Sequence, residues 1–457
     1  MEQFAPRVLL AGTGSGCGKT TVTCGILQAL VNRGVQVSAF KCGPDYIDPM
    51  FHSRIIGAKS SNLDPFFFDQ NTLRTLLAEN SAGSEVSVIE GAMGYYDGAG
   101  LSSRASSWET ASATDSPAVL VIPAKGVSIS VLAVLEGFLH FQTNSYIKGV
   151  ILNRCTAMTY TALAEQIQQY FGDAVEPLGF LPDVPECGLE SRHLGLVTAA
   201  EVENLREKMQ ILAEQIEKSV NLDALLRLAN SAGKLEYVPL VFEKRETVRV
   251  AVARDKAFCF YYEDSLHILE KLGAELVDFS PLSDENLPEN VHGLYLGGGY
   301  PELYGEALSK NVSIRYSIKK ALKNGLPCIA ECGGFMYLTE QIGDWPMVGY
   351  LPGKCWDNHK LTRFGYVTLQ AGADNLLCRK GEEIRGHEFH HWDTEKPGEA
   401  FTAAKLNGRS WKCAYASERL YAGYPHFHFY ANPQFAENFY AACLEEKHHY
   451  ARNFEAF

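Results

Sequence analysis

The eleven residues Ala11-Gly-Thr-Gly-Ser-Gly-Cys-Gly-Lys-Thr-Thr21 constrain this chain more than any other stretch. An apolar run, Val8 to Ala11, leads into them, and an apolar-periodic run from Val22 to Leu30 leads out. That is a strand, a glycine-rich loop and a helix, the setting of a phosphate-binding loop. Glycine lets the backbone curl so that successive N–H groups face phosphate oxygens, and the helix N-terminus adds partial positive charge. Gly14, Ser15, Gly16, Cys17, Gly18, Lys19, Thr20 and Thr21 are therefore the expected nucleotide cradle. Lys19 is placed to reach the terminal phosphates, and the Thr20 hydroxyl to ligate Mg²⁺. The usual spacing has glycine at position 13; here Gly12 is followed by Thr13.

A chain of 457 residues has room for two or three domains, each with its own core. The net charge of −13 argues against a nucleic-acid surface. The longest apolar stretch, Ala118 to Leu139, is broken by Lys125 and Glu136, so no membrane span is expected. The first strand begins almost at Met1, which leaves no place for a secretory signal. Twelve cysteines without a Cys-x-x-Cys pair suit a reduced, cytoplasmic protein.

After Gly34, a good helix stop, Val35 to Phe40 has strand character, and Lys41 to Pro49 forms a rigid polar loop. In an open α/β sheet such a loop lies at the carboxyl end, where ligands bind. Asp45 and Asp48 are either turn residues or groups for Mg²⁺ and substrate. Val86 to Ile89 is a buried strand tipped by Glu90, a position suited to holding Mg²⁺. The strand Ala118–Ile122 leads to Lys125, a solvated lysine or a second cation for phosphoryl transfer. Lys148–Leu152 leads to Asn153, a nucleobase contact or a strand-end cap. Charge-rich amphipathic helices are expected from Ala199 to Ala229, and the poorly patterned segment from Lys234 to Glu246 marks a boundary. Domains of 1–240 and 247–450 follow.

The second half restarts an α/β pattern, with strands at Val248–Val252, Glu275–Phe279 and Gly293–Leu296 and helices near Ser265–Leu272 and Ala307–Lys323. Leu296 runs into Gly297-Gly298-Gly299, a source of oxyanion-hole N–H groups together with Gly333. In Pro327-Cys-Ile-Ala-Glu-Cys-Gly-Gly-Phe335 a strand turns sharply into a helix with Cys332 at the apex. A helix N-terminus there is expected to lower the thiol pKa. The turn resembles the nucleophile elbow of class I glutamine amidotransferases, with Ala330 where glycine is usual. His426, in Tyr-Pro-His-Phe-His-Phe, is the expected base and His428 the alternative. Position 428 is where the amidotransferases carry their orienting glutamate. Arg385 to His391 gathers three histidines and a glutamate without completing a metal ligand set, so packing or substrate contact is expected of it.

Phe-Lys-x-Gly-Pro-Asp-Tyr-Ile-Asp-Pro (40–49), Glu-Gly-x-Met-Gly-x-Tyr-Asp-Gly (90–98) and Gly-Val-Ile-Leu-Asn-Arg (149–154) resemble the cobyrinic acid a,c-diamide synthase family. Ser191 to Leu196 is similar to a further stretch of that family. Its amino-terminal half resembles dethiobiotin synthetase, which shares the one-residue offset in the phosphate loop. The resemblance spans nearly the whole chain. It implies an α/β fold of two domains, a P-loop parallel-sheet domain and a class I glutamine amidotransferase-like (flavodoxin-like) domain. ATP and Mg²⁺ are the implied cofactors, and L-glutamine and a tetrapyrrole polycarboxylate, cobyrinic acid, the partners. Cys332, His426, Lys19, Asp45, Asp97 and Lys125 are then catalytic, and Thr20, Asp45 and Glu90 hold the metal. Tyr46, Ile47, Asp48 and Asp97 meet the substrate, and Asn153 the nucleotide. The rival readings are the same chemistry on hydrogenobyrinic acid or nickel sirohydrochlorin, a ParA-like switch ATPase, and a fused protein whose glutaminase half is an inactive scaffold.

Overall fold

The computed structural model describes residues 1–187 and 205–455, in two compact units, Met1–Leu240 and Val241–Phe457. The Ser191–Leu196 motif and the start of the expected 199–229 helices lie outside the described residues.

The first unit is built on seven strands: β1 Arg7–Gly12, β2 Val37–Cys42, β3 Lys59–Leu63, β4 Val86–Glu90, β5 Ala118–Pro123, β6 Ile147–Asn153 and β7 Glu176–Leu181. They lie in the order β3-β2-β4-β1-β5-β6-β7, and every neighbouring pair is parallel. Central strands β1, β2 and β4 are buried along their whole length, as a sheet covered by helices on both faces requires. The chain changes its direction of travel across the sheet at β1, between β4 and β5, and the loop after β1 therefore opens at the switch point where such sheets bind ligands. Helix α1, Lys19–Asn32, follows that loop. Helices Leu205–Ser219 and Leu222–Asn230 occupy the described part of the charge-rich segment. A Cβ at Gly25 of α1 would come within 2.8 Å of Ile216 and 2.9 Å of Leu212, so glycine sets how closely the two helices pack. In β1 the guanidinium of Arg7 is fully buried; it donates to the carbonyls of Ala5, Thr114, Asp115 and Gly233, which satisfies a charge that would otherwise be costly to bury.

Strand β2 departs from the sequence expectation of Val35–Phe40. Gly34 adopts φ 80° and the Val35 N–H returns to the Leu30 carbonyl, so the helix exit consumes two residues and the strand is Val37–Cys42. Lys41 thereby moves from the loop into a buried strand.

The second unit carries a six-stranded sheet in the order 274–279, 248–253, 293–296, 328–331, 420–423, 415–417, with only the last pairing antiparallel. A five-stranded antiparallel sheet follows the order 410–413, 401–404, 363–371, 383–390, 426–427. The expected helix Ala307–Lys323 is two helices, Gly305–Lys310 and Val312–Lys323. Asn311 breaks it, leaving the helical region and capping the second helix through Ile314 N–H. No helix among the described residues is long and apolar enough to cross a membrane.

Candidate functional site

In the phosphate loop, Gly16 and Gly18 hold φ of 77° and 87°, where a side chain would be strained. A Cβ on Gly14 or Gly16 would meet nothing within 4 Å, so the cradle is open on that side. The offset glycine has a steric cause. A Cβ at Gly12 would fall 2.1 Å from Cys17 Sγ, because Cys17 folds inward over the end of β1. Cys17 thus offers the loop only its backbone. Asn153, at the end of β6, donates from Nδ2 to the Cys17 carbonyl at 2.8 Å and fills the space a Cβ on Gly18 would need. Its amide group braces the phosphate loop.

Next to the loop lies a dense buried ion cluster. Thr20 Oγ1 donates to Glu90 Oε1 at 2.6 Å, and Lys41 Nζ donates to the same oxygen at 2.8 Å. Lys41 also pairs with Asp48. His52 Nε2 lies 3.3 Å from Glu90 Oε2, near enough for charge attraction but off the angle of a hydrogen bond. Burial opposes the Glu90 charge, yet Lys41, His52 and Lys19 together hold its carboxyl below the usual range. Asp48 goes the other way: burial pushes it up to about 7, against the pull of Lys41. The same two carboxylates raise Lys41 despite its burial. Hard oxygen donors at Thr20 and Glu90 beside an open glycine loop fit Mg²⁺.

The sequence motif puts Asp45 at the metal and Asp48 at the substrate. The structure brings Asp48 into the Glu90 cluster, while one Asp45 oxygen caps the helix Ile47–Phe51 by accepting from the N–H groups of Ile47 and Asp48, with its charge still near enough to act on Lys41 and Asp48. Tyr46 is buried and Ile47 half-buried. Lys125 is exposed and paired with Asp183 at 2.8 Å rather than gathered with Lys19 and Glu90. Asp97 is exposed and accepts from Gly94 N–H at 3.0 Å. The loop that carries it leans on the phosphate loop: Tyr95 N–H donates to Gly12 O at 2.8 Å, and a Cβ at Gly94 would lie 3.3 Å from Gly14 Cα.

In the second unit, Cys332 stands between strand Cys328–Glu331 and helix Gly333–Leu338 with φ 48° and ψ −103°. A non-glycine residue there is strained, as nucleophile elbows are. A Cβ at Gly333 would lie 3.1 Å from the Gly299 amide nitrogen, and one at Gly334 only 2.2 Å from the Leu296 carbonyl. Small residues are thus required for the elbow to seat against the 297–299 run. A Cβ at Gly298 would fall 2.5 Å from Cε1 of His426, so this glycine makes room for the imidazole.

His426 Nδ1 lies 3.2 Å from Glu331 Oε2, and Tyr295 OH donates to Oε1 of the same carboxylate at 3.1 Å. Glu331 is the residue immediately before Cys332, and no sequence pattern had marked it. Burial pushes its carboxyl up, with His426 and Tyr295 pulling against that shift. His428 is fully buried and accepts the Tyr430 N–H at its Nδ1; burial drives its imidazole down to about 3. The expected depression of the Cys332 thiol pKa is absent. Burial and the nearby Glu302 push it up, and the Gly333 N–H at the start of a six-residue helix only partly offsets them. A thiol held up in this way would need a base before it could act as a nucleophile.

Strand alternation explains the His-Glu-Phe-His-His segment. His387 stacks on His426 with ring centroids 5.1 Å apart, while Glu388 and His390 face the other side and bond to each other at 3.2 Å. No group of three metal-ligating side chains forms among the described residues. Besides Glu331, sequence reasoning missed Lys41 and His52. The available signal was a lysine near the end of a mostly apolar strand.

Residues 8–196 match the CobQ/CobB/MinD/ParA nucleotide binding domain family, and residues 249–434 the CobB/CobQ-like glutamine amidotransferase domain family. A cobyrinate a,c-diamide synthase of Clostridium acetobutylicum is 38% identical over 437 residues, covering 94% of this chain and 99% of its own. Those of Caldanaerobacter subterraneus subsp. tengcongensis and Thermoplasma volcanium are each 39% identical, over 95% and 96% of this chain and 98% and 97% of theirs.

Proposed function

Since this chain belongs to the cobyrinate a,c-diamide synthase family, we propose that it uses ATP and L-glutamine to amidate the a- and c-side-chain carboxylates of cobyrinic acid. The observation that carries the reading is one chain holding both a phosphate loop beside a buried Glu90 and a strained cysteine elbow beside a His–Glu pair.

In the glutaminase half, His426 Nε2 takes the Cys332 proton as the sulfur attacks the glutamine amide carbon. The Glu331 carboxylate fixes the tautomer by accepting from Nδ1–H and stabilises the imidazolium that forms. N–H groups of the 298–299 run and Gly333 hold the oxyanion. The imidazolium returns its proton to the leaving nitrogen, ammonia departs, and water hydrolyses the glutamyl thioester to glutamate. In the synthetase half, a substrate carboxylate attacks the γ-phosphorus of ATP, giving an acyl phosphate and ADP. Ammonia then adds to the acyl carbon and displaces phosphate. ATP is needed because a carboxylate is a poor acyl donor. Lys19 and the loop N–H groups hold the phosphates, and Asp97 at the lip of the loop meets the substrate arm. Mg²⁺ held by Thr20 and Glu90 would supply phosphate charge neutralisation. A free thiol nucleophile and ATP suit a cytoplasmic setting.

The test is mass spectrometry of products after offering cobyrinic acid, hydrogenobyrinic acid and nickel sirohydrochlorin separately with ATP, Mg²⁺ and glutamine. A diamide of cobyrinic acid is expected. Amidation of another ring alone would reassign the substrate, and no amidation of any would refute the ligase reading.

A further inference from the structure

The proposed substrate joins a broad apolar ring to a rim of carboxylates, so one arm must reach the phosphate loop while the ring rests outside it. In the 41–49 segment Tyr46 is buried and Ile47 half-buried, which leaves little apolar surface there. The loop after β4 offers more. It is tied to the phosphate loop at Tyr95 and Gly94 and continues as a tight turn, with Gly98 N–H donating to Ser102 O at 2.9 Å and Ala99 N–H to Arg104 O at 2.7 Å. Leu101 stands at the tip of this turn, fully exposed. Met93, three residues after Glu90, is held at φ 48° with its side chain 41% exposed. An unbranched apolar residue is thus kept in a left-handed conformation and partly exposed beside the phosphate loop. Arg104 is exposed, its guanidinium 6.0 Å from the Phe66 ring centroid.

We propose that the 93–104 loop is the ring-contacting surface of the synthetase site: Met93 and Leu101 lie against the apolar macrocycle, and Arg104 meets a peripheral carboxylate. This rests on the tetrapyrrole reading above and adds to it the residues that select an amphipathic polycarboxylate. The two apolar side chains supply area, and the guanidinium supplies a directional partner for one arm.

The experiment measures cobyrinic acid binding to the full chain by the ring's absorbance, without ATP or turnover, and then KM in steady state. Leu101→Ser, Met93→Gly and Arg104→Gln are each expected to weaken ring binding about tenfold, with the loss read in KM rather than kcat. Arg104→Lys should recover part of the loss. Met93→Gly relieves the left-handed strain and Leu101 makes no buried contact, so neither should lower Tm. Ring affinities within twofold of wild type in all three variants, losses that follow a fall in Tm, or a change in self-association at unchanged ring affinity would each overturn the proposal. Wild-type protein that binds the ring but does not amidate it would count against the proposed reaction and leave this surface standing. Failure of the wild type to bind any tetrapyrrole would remove both.

Discussion

Replacing Glu331 by Gln isolates the residue that orients the proposed base. Glu331 accepts from His426 Nδ1 at 3.2 Å through one oxygen and from Tyr295 OH at 3.1 Å through the other, in a fully buried setting. A glutamine side chain has one acceptor oxygen where the carboxylate serves three donors, His426, Tyr295 and the Phe427 N–H. With its NH₂ towards His426, it forces the tautomer whose Nε2 carries the proton and cannot take the Cys332 proton. Loss of the charge-assisted hydrogen bond alone is about 3 kcal/mol, or roughly a hundredfold in rate. With the wrong tautomer the penalty reaches about ten-thousandfold, roughly 5 kcal/mol, by analogy with the aspartate of serine-protease triads. Glutamine-dependent glutamate release should therefore fall by a factor between these limits. Amidation fed by high ammonium at alkaline pH should remain near the wild-type rate, because free ammonia bypasses the cysteine. Glutamate release is followed by a coupled dehydrogenase assay and amidation by mass spectrometry. A variant that hydrolyses glutamine within threefold of wild type would refute the idea that this carboxylate orients the base.

Cys332→Ser and His426→Ala should lose glutamine-dependent amidation and regain product with ammonium, whereas His428→Ala should retain glutaminase activity; product yields with each nitrogen source decide this. Lys19→Ala should abolish amidation with either nitrogen source by removing a cation worth several kcal/mol to the transferring phosphoryl group, and normal turnover would exclude the nucleotide assignment. Acid stability should depend on His428, whose imidazole is neutral in the folded state down to about pH 3 while an unfolded histidine protonates near 6.5. The folded state therefore binds fewer protons, so stability present above pH 6.5 is lost as pH falls towards 3, by up to ~1.4 kcal/mol per pH unit. His428→Asn keeps an acceptor for the Tyr430 N–H and should flatten that acid limb in thermal melts between pH 7 and 4.

The sequence by itself determined what is local. The phosphate loop, its helix, the strand tipped by Glu90 and the elbow at Cys332 are written in short windows, because glycine conformations, helix starts and apolar strands depend on neighbours a few residues away. The antiparallel sheet that carries His426 was less legible. Strand 363–371 alternates between buried and more exposed residues over Val367–Ala371, but its pairing is settled by distant partners. Only the tertiary structure decided the partnerships. Lys41 meets Glu90 because β2 and β4 are neighbours in a parallel sheet, which a two-residue delay at Gly34 brings into register. Glu331 adjoins Cys332 in the chain, yet it pairs with His426 only because that residue, 95 residues away, returns on another strand to face it. Hydrogen bonds and buried charges act over about 3 Å in space, and a linear sequence does not say which distant residues the fold will bring that close.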